Sequence, residues 1–387
     1  IPKKSPPINI KASSYYMNNR EKFVNFINSI FEPYREEIMS NKQEITCDNI
    51  GKSSKGFDLL THQKIVRDYI NLYTPYRGVL LFHGLGSGKT LSSIAIAEGM
   101  KDVKKIIVMT PASLRANYVE ELKKAGDVYY KKNQFWEWIQ SNNDVEMIKT
   151  LSAILNLPQE YIKKQKGAWL INVSKPSNYD SLKDEEKISL DKQINEMIST
   201  KYTFINYNGL RAKKLNDLTS GYTKNLFDNS VVIIDEAHNL ISRIVNKLKK
   251  EKDIPEDDRG EKEHLPTNLA TKLYEYLMSA NNAKIVLLSG TPVINYPNEF
   301  AILFNILRGY IKTWKIPLNI KTTNKINKEV LQKMLLGEKS HDYLDYSPTS
   351  KILTITRNPF GFKNRIKKTG EYQGVSTHKK DEKGNNT

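Results

Sequence analysis

At 387 residues the chain has room for two domains or one large one with insertions, and 60 Lys and Arg against 43 Asp and Glu leave it at +17. Such an excess favours a polyanionic partner through counterion release, although an AT-rich genome that enriches Lys, Asn, Ile and Tyr together accounts for about half of it. One cysteine, Cys47, excludes an internal disulfide, no Cys/His spacing offers a zinc site, and no segment approaches the ~20 apolar residues of a membrane span, which points to an intracellular protein.

The start Ile1-Pro2-Lys3-Lys4 lacks an apolar signal core, and Ile in place of Met implies a beginning inside a longer reading frame or after processing. Residues 1–50 read as an accessory lead-in with an amphipathic helical stretch over about Glu21 to Met39. A second amphipathic helix, Thr61 to Leu72, is followed by Gly78-Val79-Leu80-Leu81-Phe82, a short apolar run expected to be a buried strand near 78–83. Then comes His83-Gly84-Leu85-Gly86-Ser87-Gly88-Lys89-Thr90, and after it Leu91 to Met100 with helical spacing. Strand, glycine-rich turn and helix make an anion site. Backbone N–H groups around Gly84, Gly86, Ser87 and Gly88 curl about phosphate oxygens, and the helix start adds unpaired N–H groups and a positive dipole end. Lys89 would reach the β and γ phosphates, and Thr90 offers a hydroxyl to Mg²⁺. The general pattern has Gly where this chain has His83, so the match is to the tail of the motif, and a loop that merely caps a helix uses the same residue types.

A second strand, Lys105 to Met109, leads into Thr110-Pro111-Ala112-Ser113-Leu114-Arg115. The stretch of about 126–200 before the next strand, near 202–206, exceeds what one crossover helix requires and reads as an insertion. Within it Phe135, Trp138 and Ile139 fall at i, i+3, i+4 and suggest the core face of a helix rather than a base-stacking platform. The run Val231-Val232-Ile233-Ile234 is apolar on both faces, as in the central strand of a parallel sheet, and ends in Asp235-Glu236-Ala237-His238. Carboxylates at that edge lie beside the phosphate loop, Asp235 to hold Mg²⁺ and Glu236 to orient and deprotonate a water, although an acidic pair also caps helices. Asn246 to His264, mixing Lys with Glu and Asp around Pro255, reads as a second insertion in a solvated loop. Lys284-Ile285-Val286-Leu287-Leu288 is a further buried-strand signal, and Ser289-Gly290-Thr291-Pro292 is its turn, where small hydroxyl residues could sense a γ phosphate or simply end a strand. A helix from Asn298 to Leu307 closes the domain at about 51–310, and 311–362, with a strand over Lys351 to Thr356, is a linker or the start of a second domain. The polar, Lys- and Gly-rich tail from Lys363 to Thr387 is expected to be disordered.

The three motifs together resemble superfamily 2 helicases and translocases of the DEAH-box type. More narrowly, through Leu80 to Met100, Val108 to Arg115, Asn133-Gln134-Phe135-Trp136 and Thr291 to Glu299, the chain is similar over about 55–362 to the transcription-linked ATPases of large eukaryotic DNA viruses, the group of the poxvirus early transcription factor small subunit and nucleoside triphosphatase I. The resemblance implies a RecA-like P-loop NTPase domain, an α/β fold whose parallel sheet carries helices on both faces, with insertions. It implies ATP and Mg²⁺ as cofactors, DNA or RNA backbone and viral transcription proteins as partners, and the host cytoplasm or virion as location. Gln63, in Leu60-Thr61-His62-Gln63, would read the adenine; Thr110 and Arg115 would grip the nucleic-acid backbone without reading sequence. Ser289, Thr291 and His238 would couple hydrolysis to movement.

Motors of this kind take an arginine finger from a Gln-x-x-Gly-Arg-x-x-Arg segment in a second RecA-like domain, and no such segment occurs among the 387 residues. Since that finger is worth about 10³ to 10⁵ in turnover, weak hydrolysis is expected of this chain alone. Three classes remain open: the ATP-binding half of a nucleic-acid translocase, a P-loop enzyme acting on a small molecule, and an ATP-gated module of a transcription complex.

Overall fold

The computed structural model describes residues 28, 29, 31–35, 39, 59–72, 74, 76–84, 86–142, 144–252, 268–310, 312–319, 326–335, 343–357, 363–366 and 372–376. They fall into two compact units, one running from Phe31 to Leu307 and the other from Arg308 onward, the latter including Asn28 and Ser29. Cys47 and most of the helix expected over Glu21 to Met39 lie outside the described residues.

In the first unit, α1 (Thr61–Tyr69), β1 (Gly78–Phe82), α2 (Lys89–Glu98), β2 (Lys105–Met109) and α3 (Arg115–Ala125) follow in order. Then come β3 (Trp136–Gln140), α4 (Val145–Leu155), α5 (Gln159–Gln165), β4 (Gly167–Ile171) and α6 (Asp184–Lys201). The unit continues with β5 (Tyr202–Ile205), α7 (Ala212–Leu218), β6 (Ser230–Ile234), α8 (Ala237–Lys252), α9 (Leu269–Ser279), β7 (Lys284–Ser289) and α10 (Asn298–Arg308). Five strands form one sheet in the order β1-β7-β6-β2-β5, every pair parallel.

The apolar runs explain why this sheet is buried on both faces. Successive strand residues point to opposite sides, and here both sides find a core. Ile106, Val108, Val231, Ile233, Val286 and Leu288 pack on one face with α2, α3 and the 126–200 segment. Ile107, Met109, Val232, Ile234, Ile285 and Leu287 pack on the other with α7 to α10. Each such side chain contributes about 1.5–3 kcal/mol of burial, so the strands read as unbroken apolar runs.

The 126–200 segment differs from the expected helix at Asn133–Ile139. Trp136–Gln140 is a strand, antiparallel to β4 with Trp138 opposite Trp169. The pairing with β4 decides it, not a helical face: Trp136 is 2 % exposed and packs in the core, while Trp138, two residues on, is 40 % exposed. β3 and β4 make a sheet of their own. Gln193 of α6, itself buried, accepts from Trp169 N–H at 2.8 Å and donates to its carbonyl at 2.8 Å, replacing a missing neighbour strand.

Two loop expectations also change. Residues 246–252, expected in a solvated loop, continue α8 to Lys252, because the apolar spacing of Leu240, Ile241, Ile244 and Val245 carries the helix; residues 253–267 lie outside the described set. In the second unit β8 (Lys312–Pro317), α11 (Lys328–Leu335), β9 (Tyr343–Ser347) and β10 (Ile352–Arg357) build an antiparallel sheet, order β8-β10-β9, around Leu331, Leu344, Tyr346 and Leu353. Within the tail expected to be disordered, β11 (Lys363–Ile366) pairs with β12 (Tyr372–Ser376) as an antiparallel hairpin, which cross-strand backbone bonding permits despite the polar composition.

Candidate functional site

Parallel pairing brings three motifs to one edge. Phe82 is in register with Ser289, and Ile234 with Leu287, so the loop after β1, the turn after β7 and the acidic pair after β6 are neighbours in that order. Ligands of open α/β sheets bind at this C-terminal edge.

The loop after β1 is shaped by left-handed backbone at Gly86 (φ 76°) and Gly88 (φ 77°). Ser87 Oγ donates to Gly84 O at 2.8 Å, and Lys89 Nζ donates to His83 O at 2.8 Å and Gly84 O at 3.1 Å. α2 starts at Lys89 with no side-chain cap and no acidic residue in its first turn, so its N–H groups and dipole face the loop unopposed. Thr90 opens the same helix, and its carbonyl accepts from Ser93 Oγ at 2.7 Å. Gly290 lies against this loop: a Cβ there would be 3.6 Å from both His83 O and Lys89 Nζ.

Gln63 is 1 % exposed rather than an ordinary polar residue on an amphipathic surface. Its Nε2 donates to Gly88 O at 3.4 Å, and its Oε1 accepts from Leu60 N at 3.0 Å. The side chain thus braces the phosphate loop against α1. His62 beside it contacts Ser87 O at 3.2 Å through Nε2. His83, the departure from the glycine pattern, has a buried Nδ1 with no partner. Burial, with the nearby charges of His62 and Lys89, holds its pKa below the ordinary value.

Asp235 N–H donates to Met109 O at 2.8 Å, extending the β2–β6 ladder by one residue. Its carboxylate accepts from Glu236 N–H at 3.0 Å. Burial and the charge of Glu236 push the Asp235 pKa up, against the pull of that N–H and of Lys89. Glu236 has φ 47°, the left-handed region that a non-glycine residue occupies only at a cost of about 1–3 kcal/mol. His238 Nδ1 lies 2.9 Å from Ser289 Oγ and 3.3 Å from Glu236 Oε2. Thr291 N–H donates to Ser289 Oγ at 3.0 Å, so residues from the acidic motif and the turn after β7 form one chain of contacts.

Thr110 is buried, its N–H donating to Ile205 O at 3.1 Å and its hydroxyl to Pro111 O at 3.3 Å. Arg115 is exposed, with its guanidinium 5.2 Å from the Phe204 ring centroid. Sequence reasoning missed Tyr207, whose hydroxyl shares its proton between the carbonyls of Asp235 at 3.0 Å and Glu236 at 3.1 Å. It also missed Glu299, a buried carboxylate that accepts from Ile294 N–H at 2.8 Å and Asn295 N–H at 3.2 Å; these bonds hold its pKa low despite burial. The sequence signal for Tyr207 was its place just after β5, and for Glu299 its place in the first turn of α10.

Among the described residues no group of three or more His, Cys, Asp or Glu could hold a metal by itself. A magnesium ion arriving with nucleotide needs less than that: one or two oxygen ligands from the protein, with phosphate oxygens and water completing an octahedron. The hydroxyl of Thr90 and the carboxylate of Asp235 fit that donor set. No helix of the described residues is long and apolar enough to cross a membrane.

Residues 36–293 match the family model of the type III restriction enzyme res subunit. A protein of Acanthamoeba polyphaga mimivirus, named as a candidate ATP-dependent RNA helicase, is 29 % identical over 286 residues, which is 73 % of this chain and 38 % of that protein. A candidate helicase of Invertebrate iridescent virus 3 is 28 % identical over 264 residues, 65 % of this chain and 20 % of the relative. A termination factor NPH-I homolog of African swine fever virus is 23 % identical over 321 residues, 81 % of this chain and 35 % of the relative. The chain therefore spans well under half the length of these relatives. With its phosphate loop, acidic pair and parallel sheet in that frame, the chain belongs to the family of the type III restriction enzyme res subunit, as a helicase-like domain of RecA-like fold with relatives in large DNA viruses.

Proposed function

We propose that the chain is the ATP-binding half of a nucleic-acid-dependent ATPase, a helicase or translocase serving viral transcription. The observation that carries this reading is the meeting of Lys89, the Asp235-Glu236 pair and Ser289 at three adjacent strand ends. Lys89, whose Nζ lies on the carbonyls of His83 and Gly84, gives its ammonium to the β and γ phosphates. The N–H groups of the loop and of α2 take the phosphate oxygens. Mg²⁺, held by Thr90 and Asp235, would supply charge neutralisation between the phosphates. Glu236 orients a water in line with the γ phosphorus and accepts its proton as the new P–O bond forms and the bond to the β-phosphate oxygen breaks. His238, hydrogen-bonded to Ser289, carries the state of that carboxylate to the turn after β7. Gln63 reads the adenine from its position against Gly88. Arg115, with the backbone around Thr110, holds the nucleic-acid phosphates. The printed names of relatives, an RNA helicase and a termination factor, support a duty linked to transcription.

Two variants test the roles. Lys89→Ala is expected to abolish binding of a fluorescent ATP analogue, whereas Glu236→Gln keeps that binding and lowers kcat by at least about 10², the scale of a lost general base. Hydrolysis persisting in Glu236→Gln would remove Glu236 from its assigned role. ATP-dependent oligonucleotide binding with no turnover, even beside a second RecA-like domain, would favour the gated module instead.

A further inference from the structure

The strained backbone of Glu236 is held from the turn after β5. Tyr207 is 1 % exposed and packs its ring in the core on the α7–α10 side of the sheet. Its hydroxyl is the group that meets the carbonyls of Asp235 and Glu236, at 3.0 and 3.1 Å. Glu236, at φ 47°, is held there from outside its own segment, because a left-handed non-glycine residue relaxes unless its surroundings fix it.

The turn carrying Tyr207 is itself rigid. Asn206 Oδ1 accepts from the N–H groups of Asn208 at 3.1 Å and Gly209 at 3.3 Å. A Cβ on Gly209 would lie 2.8 Å from Asn206 Nδ2, so the turn is closed tightly on that side chain. Arg243 of α8, the helix that follows the acidic pair, donates through Nη1 to Tyr207 O at 3.1 Å and Asn208 O at 3.3 Å. Helix, turn and acidic pair are therefore tied to one another by hydrogen bonds. The outer end of this group is cationic: Arg211, Lys213 and Lys214 are all exposed, beside the exposed Asn208 and Gly209.

We propose that Tyr207 is a positioning residue for Glu236, and that the turn 206–214 is the lever by which a nucleic-acid backbone lying on Arg211, Lys213 and Lys214 sets the carboxylate for hydrolysis. This deepens the function proposed above and rests on it. Phosphates drawn to the three cations shift the turn; the tyrosine hydroxyl transmits the shift to two carbonyls; and the carboxylate of Glu236 moves relative to the water it activates. The polyanion is recognised by charge alone, so DNA and RNA of any sequence act alike at this place.

Tyr207→Phe tests the idea, since it keeps the ring in the core and deletes only the hydroxyl. With the full chain, expected results are a fall in kcat of at least about tenfold, the scale of a lost supporting hydrogen bond, an unchanged KM for ATP, and loss of stimulation by a single-stranded oligonucleotide. Direct binding of that oligonucleotide, read by fluorescence anisotropy, should stay the same. Arg243→Ala, which frees the turn from the other side, should give the same split between kcat and KM. Replacing Arg211, Lys213 and Lys214 with Ala should weaken oligonucleotide binding and flatten its salt dependence by about 2 in log–log slope, at about 0.7 per lost phosphate contact on a single strand. A Tyr207→Phe protein whose kcat and stimulation equal those of a hydrolysing wild type overturns the proposal and leaves the ATPase reading standing. A wild type with no ATPase even beside a second RecA-like domain overturns both.

Discussion

Gly88 turns the backbone into α2 at φ 77°, and an added Cβ would lie 2.4 Å from Gln63 Nε2. Gly88→Ala therefore meets two penalties, left-handed strain of about 1–2 kcal/mol and displacement of a buried amide. ATP-analogue affinity is expected to fall by at least tenfold, since about 1.4 kcal/mol is a decade. Adding Gln63→Ala relieves the clash but also removes the side chain assigned to the adenine, so it should not restore ATP-analogue affinity. A Gly88→Ala protein that titrates like wild type would move the nucleotide away from this loop. At this scale the placement of the motifs was legible where they follow an apolar run: the loop leading to Lys89 comes after β1, and Asp235-Glu236 after β6. Tyr207 was not, because its hydroxyl meets carbonyls 28 and 29 positions further along the chain, and no local pattern records a contact of that kind.

Among the elements, β7 carries a buried cation. Lys284 Nζ donates to Thr74 O at 2.7 Å and Tyr76 O at 2.6 Å, tying the connection between α1 and β1 to the start of β7. Burial, with the charge of Lys104, pulls its pKa down to about 7. The unfolded chain holds this proton until about pH 10.4, so between about pH 7 and 10 the unfolded state binds more protons, and stability rises with pH across that window. A neutral amine still donates two N–H bonds, so the contacts survive deprotonation. The urea midpoint should climb from pH 7 to 10, and Lys284→Met should remove much of that climb; Lys104, lowered by burial in the same sense, leaves a smaller slope. The same variant should cost about 1–3 kcal/mol through the unpaired carbonyls.

Gln193 makes a parallel case in α6. Gln193→Leu strands both backbone groups of Trp169 and should cost about 2–3 kcal/mol in chemical denaturation; a cost near zero would mean that water replaces the amide. The inner strands β7, β6 and β2 were readable because burial on both faces leaves no ambiguity of period, whereas the edge strands β1 and β5 keep exposed positions at Phe82 and Thr203. β3 was misread because a five-residue segment rich in aromatics satisfies helical and strand spacing together, and only its pairing with β4 decides. The continuation of α8 past Asn246 was hidden by a run of charged residues, which exposed helix and loop accept equally.

The whole chain carries +17, and its cations do not all face a partner. Lys101 is held by Glu98 and Asp127, and Lys123 by Glu120 and Asp191, so these contribute little to an outside polyanion. Net charge is thus a poor guide to affinity, and the salt dependence of oligonucleotide binding should report far fewer contacts than 17. A slope approaching one decade per unit of net charge would mean diffuse attraction rather than a defined track. Fold class was legible from strand order along the chain and the three motifs, whereas the spatial order β1-β7-β6-β2-β5, which decides that Ser289 stands between Lys89 and Asp235, was not.

That order has a consequence for the birth of the protein on the ribosome. Among the described residues β1 is an edge strand whose one sheet neighbour is β7, with Gly78 paired to Ile285. The phosphate loop is thus made early and can be seated only late, after nearly the whole first unit has emerged. Until then the nascent chain exposes the unpaired side of an apolar strand. Photocrosslinking of an ATP analogue to stalled nascent chains should stay silent until Ser289 has cleared the exit tunnel, then switch on over a few residues. An earlier signal would mean that the loop folds around nucleotide before its strand finds the sheet.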